Sequence, residues 1–340
     1  SASMEVRGRS TRRASSPSID PLACPPRAPQ NSGMTHAREL NWLRSSVGVL
    51  HLGQRAVISV TGDDAADWLQ GQLTNQCEGA TPGDCVYAFI LSVKGRVLAD
   101  TWALFHEEGI WLDVPSRQID AVMERLDRYI IMEDVDLERR DDLGILAAQG
   151  PKASELPDEG WPADRLGVGG RQWLVPVAEM SETLERTTHG AKELGGGALS
   201  PDAWAQAHVV WGRPRFGVDF GDWTYPQESG LTPLAVSFHK GCYIGQETVV
   251  MLENRGRAPK VLWRWIIDAV EPPPAKSPIR RDGTPVGEIT SAVASGGSVS
   301  ALGYLKRDHD EPGGGYEVEG AAAEALGPVA DHLGVQALSR

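Results

Sequence analysis

Hydrophobic and polar positions alternate along much of residues 40–255, and this alternation predicts a series of short strands. The triplet Lys94-Gly95-Arg96 separates two of these stretches, which predicts a hairpin with glycine in its turn. The strand-like stretches are AVISV from Ala56, CVYAFILS, VLADTWALF, IWLDV, LGILAAQG and RQWLVPV.

Helical spacing appears between these strands. From Ser116 onwards, apolar residues recur every three or four positions up to Ile130, which predicts an amphipathic helix packed on a sheet. The stretches SETLERTTHG and PDAWAQAHVVWG also predict helices, the first of which we expect to end at Gly190. Because strands and helices interleave, the predicted fold class is α+β with antiparallel sheets.

The pattern changes after Ala258. Short strand-like stretches such as VLWRWII, GTPVGEITSAV and SVSALGYLKR are separated by Gly, Pro and Ser and show no helical period. This pattern predicts a small C-terminal β-barrel or β-sandwich over residues 259–340, ending in a flexible tail. We therefore place a domain boundary near residue 258, after an α+β domain of residues 38–258.

The N-terminal segment has a different composition. Its first 33 residues contain five Pro, and five Arg against Glu5 and Asp20, which favours a disordered extension over residues 1–37. We interpret it as an upstream extension of a cytoplasmic bacterial protein that starts at Met34. A transit peptide for the mitochondrial matrix is the alternative, because the segment is rich in Arg and Ser.

Net charge and hydropathy exclude several classes of protein. A net charge of −13 disfavours nucleic acid as a general partner, since phosphate binding needs a basic surface. No apolar run approaches the ~18 residues of a membrane-spanning helix. The four cysteines, at 24, 77, 85 and 242, form no CxxC pair, so we expect neither a disulfide scaffold nor a bound metal.

The most informative stretch is HKGCYIGQE, residues 239–247, which we call the signature segment. Cys242 follows His239 and Lys240 and precedes a predicted helix, ETVVMLEN. Positive charge and a helix N-terminus both favour a thiolate, so a reactive thiol at Cys242 with Lys240 lowering its pKa is one interpretation. A buried cysteine in a turn, beside a solvated lysine, is the other.

The motifs resemble those of the YgfZ-type folate-binding proteins, which are relatives of the glycine cleavage aminomethyltransferase (T-protein). KGCYIGQE resembles their K-G-C-[YF]-x-G-Q-E signature. WLQGQLTNQ and KGRVLAD resemble two further motifs in the same order, and GRPRFGVDF with YPQESGL resembles the run before the signature. The resemblance covers roughly residues 38–306.

This resemblance implies a three-lobed ring, with two ferredoxin-like β-α-β lobes and a β-barrel lobe around a folate channel. It implies tetrahydrofolate or a derivative as cofactor and a monomeric accessory protein for iron–sulfur enzymes or their assembly machinery. It also implies catalytic roles for Cys242 and Lys240. The implied cofactor-binding residues are Gln70, Asn75, Tyr87, Arg96, Asp100, Glu228, Tyr243, Gln246 and Glu247, with Gln72, Arg255 and Arg257 as further candidates.

Each of these residues also has a structural interpretation. Asp100 fits a solvent-facing strand position, Gln70 and Asn75 fit helix-end caps, and Tyr87 fits a core position in CVYAFILS. The arginines after ETVVMLEN fit the negative end of a helix dipole.

Three positions depart from the family pattern. Val210 stands where many relatives carry a Glu that grips the pterin edge, Gln76 replaces an Asp, and Met251 replaces a basic residue. Loss of a charged partner for the pterin costs about 1.5–3 kcal/mol. Two alternative functions therefore stay open: a folate-dependent aminomethyl or one-carbon transferase, and a scaffold that has lost folate binding.

Overall fold

The structure, a computed structural model, describes residues 32–256 and 258–333. Most of the extension assigned to residues 1–37, including Cys24, lies outside the described residues, as do Arg257 and the tail from residue 334. The first helix begins at Ser32, inside the segment expected to be disordered.

Seven α-helices occur in the described residues. The helix after Ser116 buries Ile119, Val122 and Leu126, as its apolar spacing predicts. The prediction that a helix ends at Gly190 is wrong, because this helix continues to Glu193 and buries Ala191 in the last turn. The helices are α1 Ser32–Ser45, α2 Ala65–Gln70, α3 Ile119–Asp127, α4 Met180–Glu193, α5 Pro201–Val210, α6 Thr232–Ala235 and α7 Gln246–Asn254.

Sixteen strands in the described residues form two open sheets and one barrel. They are β1 Gly48–His51, β2 Arg55–Thr61, β3 Cys85–Leu91, β4 Val97–His106, β5 Gly109–Pro115, β6 Asp136–Arg139, β7 Leu143–Gln149, β8 Trp161–Pro162, β9 Gly170–Pro176, β10 Gly197–Ala198, β11 Lys260–Ile267, β12 Pro278–Arg281, β13 Thr284–Ser295, β14 Ser298–Lys306, β15 Gly313–Val318 and β16 Ala321–Pro328.

The first lobe contains an antiparallel sheet with the order β3-β4-β5-β2-β6. One face of this sheet packs against α2 and α3, where Ala99, Ala103 and Phe105 of β4 join the core. Side chains of a strand alternate between the two faces, so Asp100 and Trp102 of β4 belong to the opposite face.

The second lobe contains a sheet with the order β10-β1-β7-β9-β8. Leu146 and Ala148 of β7 pack in a core with α4, whereas Ile145 and Ala147 pack in a core shared with the first lobe. The free faces of the two sheets therefore meet, and polar residues on them are removed from water.

The third lobe is a closed six-stranded barrel with the order β11-β14-β13-β12-β15-β16. The predicted α+β fold with a C-terminal barrel is confirmed, and strands β15 and β16 complete the barrel. The division into domains near residue 258 stays a prediction; β11 begins at Lys260.

No helix within residues 32–256 and 258–333 is long and apolar enough to cross a membrane.

Candidate functional site

The signature segment packs against the glycine turn between β3 and β4. Gly245, the N-cap of α7, has φ 84°, and a Cβ there would lie 2.7 Å from the carbonyl oxygen of Ser92. Gly95 has φ 76°, and a Cβ there would lie 2.6 Å from Cβ of Thr248. Both positions need glycine for conformation and for space, so the two motifs fix each other's position.

Cys242 is exposed and its thiol is free, while the next residue is a buried anchor. Tyr243 packs with Phe89 of β3 and Tyr304 of the barrel in one core. The Tyr243 hydroxyl has no hydrogen-bond partner within the described residues, and burial raises the pKa of Tyr243 to about 12. The segment is thus held by Tyr243 and leaves the Cys242 thiol accessible.

The ammonium group of Lys240 binds backbone carbonyl oxygens. It donates to Gln70 at 2.6 Å, to Leu73 at 2.7 Å and to Asn75 at 2.8 Å. Burial lowers the pKa of Lys240 to about 8, while three acceptors stabilise the protonated form. These contacts use all three ammonium protons to hold the loop after α2. They are not directed at the Cys242 thiol, so they differ from the expected role of lowering the pKa of Cys242.

Burial disfavours the thiolate form of the two other cysteines of the described region. Burial raises the pKa of the Cys77 thiol to about 11 and raises the pKa of Cys85 further. Both thiols are free, as expected for cysteines that act as small apolar residues.

Gln70 and Asn75 use their amides to hold this loop. Gln70 Oε1 accepts from the amide N–H of Cys77 at 2.8 Å. Asn75 Nδ2 donates to the carbonyl oxygens of Tyr87 and Leu234, both at 2.9 Å. Asn75 therefore connects the loop that Lys240 binds to strand β3, and a ligand role for either amide stays a prediction.

The other expected residues of the signature segment belong to the start of α7. Gln246 Oε1 accepts from the amide N–H of Tyr243 at 3.3 Å, and Glu247 is exposed in the first helical turn, where a carboxylate suits the helix dipole. Arg255 is the C-cap of α7, which agrees with its structural interpretation.

Arg96 and Glu228 both contact Tyr225, before the signature segment. The Arg96 guanidinium lies 4.4 Å from the centroid of the Tyr225 ring. Glu228 Oε2 accepts from the amide N–H of Tyr225 at 2.9 Å, and burial raises the pKa of Glu228. The backbone carbonyl oxygen of Val210 accepts from a different residue, Arg264, at 3.4 Å.

Tyr87 and Asp100 lie where the sheets of the first two lobes meet. Tyr87 OH donates to Asp100 Oδ2 at 3.2 Å, and the Tyr87 ring centroid lies 4.9 Å from that of Trp102. Asp100 is 8% exposed, which contradicts a solvent-facing strand position. With four further polar residues they form what we call the interlobe cluster: Arg55, Tyr87, Asp100, Asp113, Arg165 and Gln172.

Two arginines and two aspartates balance the charge of this cluster. Arg55 Nη1 donates to Asp100 Oδ1 at 2.7 Å, and Arg55 Nε donates to Asp113 Oδ1 at 2.5 Å. Arg165 Nη2 donates to Asp113 Oδ2 and to Gln172 Oε1. The sequence patterns did not single out Arg55, Asp113, Arg165 or Gln172; alternation in β2 and β5 was the only available signal, and it does not specify partners.

Three donors at the cluster and next to it lack an acceptor. Arg165 Nε, Gln172 Nε2 and Arg215 Nε are buried and have no hydrogen-bond partner among the described residues. Leaving such a group unpaired costs roughly 1–3 kcal/mol, so this region is arranged to meet acceptor atoms.

His208 of α5 is neutral and surrounded by positive charge. Its Nδ1 lies 2.7 Å from the carbonyl oxygen of Arg213. Burial, with the charges of Arg215, Arg165 and Arg213, lowers the pKa of His208 to about 3. The region thus favours a neutral imidazole.

The buried imidazole predicts a loss of stability in acid. Because the His208 pKa of about 3 in the folded protein lies below its ordinary value of 6.5, the unfolded state binds the proton first as the pH falls below 6.5. The expected contribution to the loss between pH 7 and pH 5 is about 2 kcal/mol. Urea unfolding at both pH values should show this loss in the native chain and a loss smaller by about 2 kcal/mol in His208→Gln; equal losses would contradict it.

Within residues 32–256 and 258–333, no group of three or more His, Cys, Asp or Glu is arranged to hold a metal ion. Two cavities, of about 330 and 380 Å³, lie beside Val261 and Trp263 of β11. Neither is lined by a residue of the interlobe cluster.

Known proteins resemble this chain in sequence and in fold. The family model described as "GCVT N-terminal domain" matches residues 23–161. The "tRNA-modifying protein YgfZ" of Photobacterium profundum is 25% identical over 288 residues, covering 78% of this chain and 85% of the relative. Its counterpart in Klebsiella pneumoniae is 25% identical over 258 residues, covering 70% and 74%.

Among solved structures, the glycine cleavage system aminomethyltransferase T of Bartonella henselae superposes with a TM-score of 0.74. The match covers 87% of this chain and 89% of that structure at 17% identity, and it establishes a common fold.

Proposed function

The chain resembles the YgfZ proteins in sequence and an aminomethyltransferase in fold, and from this premise we propose that it binds a reduced folate at the interlobe cluster and assists iron–sulfur cluster assembly or repair. The folate is tetrahydrofolate or a derivative. Cys242 supplies the thiol that takes part in the reaction with the iron–sulfur partner protein.

The observation that carries the folate proposal is the set of unpaired buried donors beside an aromatic pair. A pterin is flat and has one edge of donors and acceptors, so it needs a ring to pack on and polar groups around that edge. Tyr87 and Trp102 supply the rings. Asp100 keeps lone pairs for the donor edge, and the free N–H groups of Arg165 and Gln172 match the ring oxygen and nitrogens.

Val210 changes how the ligand is held. No carboxylate occupies this position, and the loss costs about 1.5–3 kcal/mol if nothing replaces it. The buried arginines near His208 favour acceptor atoms instead, so we expect binding to depend on Asp100 and on arginine donors.

Bound tetrahydrofolate supplies nitrogen atoms that accept a one-carbon unit. The interlobe residues orient the ring and exclude water from it. Five of the six are largely buried, with about one-tenth or less of the side chain or residue exposed, and the sixth, Tyr87, packs against Trp102. The signature segment is connected to this site by two hydrogen bonds to backbone carbonyl oxygens. Lys240 donates to Asn75, and Asn75 donates to Tyr87.

The curated relatives carry names that refer to tRNA modification. With a net charge of −13, a broad phosphate-binding surface is disfavoured in this chain. We therefore assign it an accessory role toward protein partners rather than direct contact with tRNA.

The fold shared with an aminomethyltransferase favours a second candidate, a folate-dependent one-carbon transferase. That reaction needs a carboxylate to handle the substrate amine, and Val210 stands at the position where relatives carry one. Formation of methylene-tetrahydrofolate from an aminomethyl donor would favour this candidate.

Cys242→Ala tests the accessory role. Because the thiol is exposed, its removal should leave the unfolding midpoint unchanged and lower the activities of iron–sulfur enzymes several-fold in cells that depend on this protein. Cys85→Ala, at a half-buried position, serves as a control at equal expression. Unchanged enzyme activities with Cys242→Ala would remove the thiol from the proposal.

A further inference from the structure

Arg125 of α3 is a buried cation without a carboxylate partner. It is 8% exposed, and no ion pair involves it within the described residues. Burial lowers the pKa of Arg125 to about 10, and the Tyr129 ring, 4.9 Å from the guanidinium carbon, is its nearest aromatic contact. Since a buried unpaired charge is strongly destabilising, this arrangement needs a physical reason.

The guanidinium uses only part of its hydrogen-bonding capacity. Arg125 Nε donates to the carbonyl oxygen of Leu91 at 3.0 Å, and Nη1 donates to Gln72 Oε1 at 2.6 Å. Arg125 Nη2 is buried and has no partner among the described residues. Both acceptors are neutral, so the positive charge is not compensated.

Both acceptors lie at the signature segment. Leu91 packs on Gly245, where a Cβ would lie 3.0 Å from Leu91 Cβ. Gly71, the neighbour of Gln72, accepts from the amide N–H of Ile244 at 3.2 Å. Arg125 is therefore connected to the turn that starts α7 through Leu91 on one side and Gln72 on the other.

The start of α7 adds to this positive region. The first N–H groups of a helix lack intrahelical acceptors and carry partial positive charge. The nine-residue helix α7 begins at Gln246, and no side chain caps it. The carboxylate in its first turn, Glu247, is exposed and forms no ion pair among the described residues.

From these contacts we infer that Arg125 and the first turn of α7 form a subsite for an oxyanion, a carboxylate or a phosphate group, next to the exposed thiol of Cys242. The unpaired Nη2 donor and the N–H groups of the first helical turn supply its hydrogen bonds. An oxyanion compensates the buried charge and accepts hydrogen bonds from the unused donors. A neutral or cationic group does not do both.

The test is to titrate the folate-free protein with inorganic phosphate at constant ionic strength and to measure binding as the shift of the unfolding midpoint. The native chain should bind phosphate in the millimolar range, and Arg125→Gln should weaken binding at least about tenfold. Arg128→Gln is the matched control, because Arg128 lies one residue beyond the same helix, is exposed and pairs with Glu124.

A second variant keeps the test decisive if Arg125→Gln folds poorly. Gln72→Glu places a carboxylate 2.6 Å from Arg125 Nη1, so it should raise the unfolding midpoint and also abolish phosphate binding. Repeating the titration with glutamate distinguishes a carboxylate ligand from a phosphate ligand.

Phosphate and glutamate binding that is absent in the native chain, or equal in Arg125→Gln and the native chain, would overturn the subsite. Because no folate is present, either result leaves the folate proposal untouched.

Discussion

Replacing Asp113 with asparagine is expected to lower the free energy of unfolding by about 3–5 kcal/mol. The Asp113 side chain is fully buried and accepts from Arg55 and from Arg165. Its neutralisation leaves one uncompensated positive charge between the two sheet lobes, where water does not screen it. Urea unfolding monitored by tryptophan fluorescence measures the change.

Asp142→Asn is the matched control for this substitution. Asp142 also pairs with an arginine, Arg140, at 2.7 Å, but its side chain is 61% exposed. Exposed ion pairs contribute about 0–1 kcal/mol, so this variant should unfold nearly as the native chain does. Equal losses in the two variants would show that the interlobe cluster is not a buried charge network.

Lys240→Met is expected to cost about 3 kcal/mol, because it removes a charged donor from three carbonyl oxygens. Methionine keeps much of the apolar stem, so the loss reports on the ammonium group. Lys94→Met, at an exposed turn position, should change stability by less than about 0.5 kcal/mol. The same unfolding measurement compares both variants.

The Lys240 experiment also separates the two roles of this residue. If the lysine acts by holding the loop after α2, the variant loses stability and the loop opens to hydrogen exchange. Native stability in Lys240→Met, together with an altered reaction rate of Cys242 with a thiol reagent, would instead support the catalytic role expected from the sequence.

The spacing of apolar residues and the residues typical of turns predicted much of the fold. Alternation identified β3, β4, β5, β7 and β9, and the glycine at position 95 identified the hairpin. Gly190 misled the prediction of α4, since a single glycine costs only ~1 kcal/mol in a helix and the buried face around Ala191 outweighs this cost.

The chemistry of the site was less predictable, because its partners are far apart in sequence. Arg55 and Asp113 are separated by 58 positions, and Lys240 lies 165 positions or more from the three carbonyl oxygens it binds. Sequence neighbours suggested that Lys240 acts on Cys242, and only the folded chain shows its contacts with the loop after α2. Arg125 gave no signal, since it occupies an ordinary polar position in an amphipathic helix.

The most direct test of the account is calorimetric titration of the purified protein with tetrahydrofolate, beside Asp100→Asn. We expect micromolar binding by the native chain and at least about tenfold weaker binding by the variant, since Asp100 is proposed to bind the pterin edge. Circular dichroism confirms that the variant is folded. No binding by the native chain at millimolar tetrahydrofolate, or equal binding by the two proteins, would contradict a folate site at the interlobe cluster.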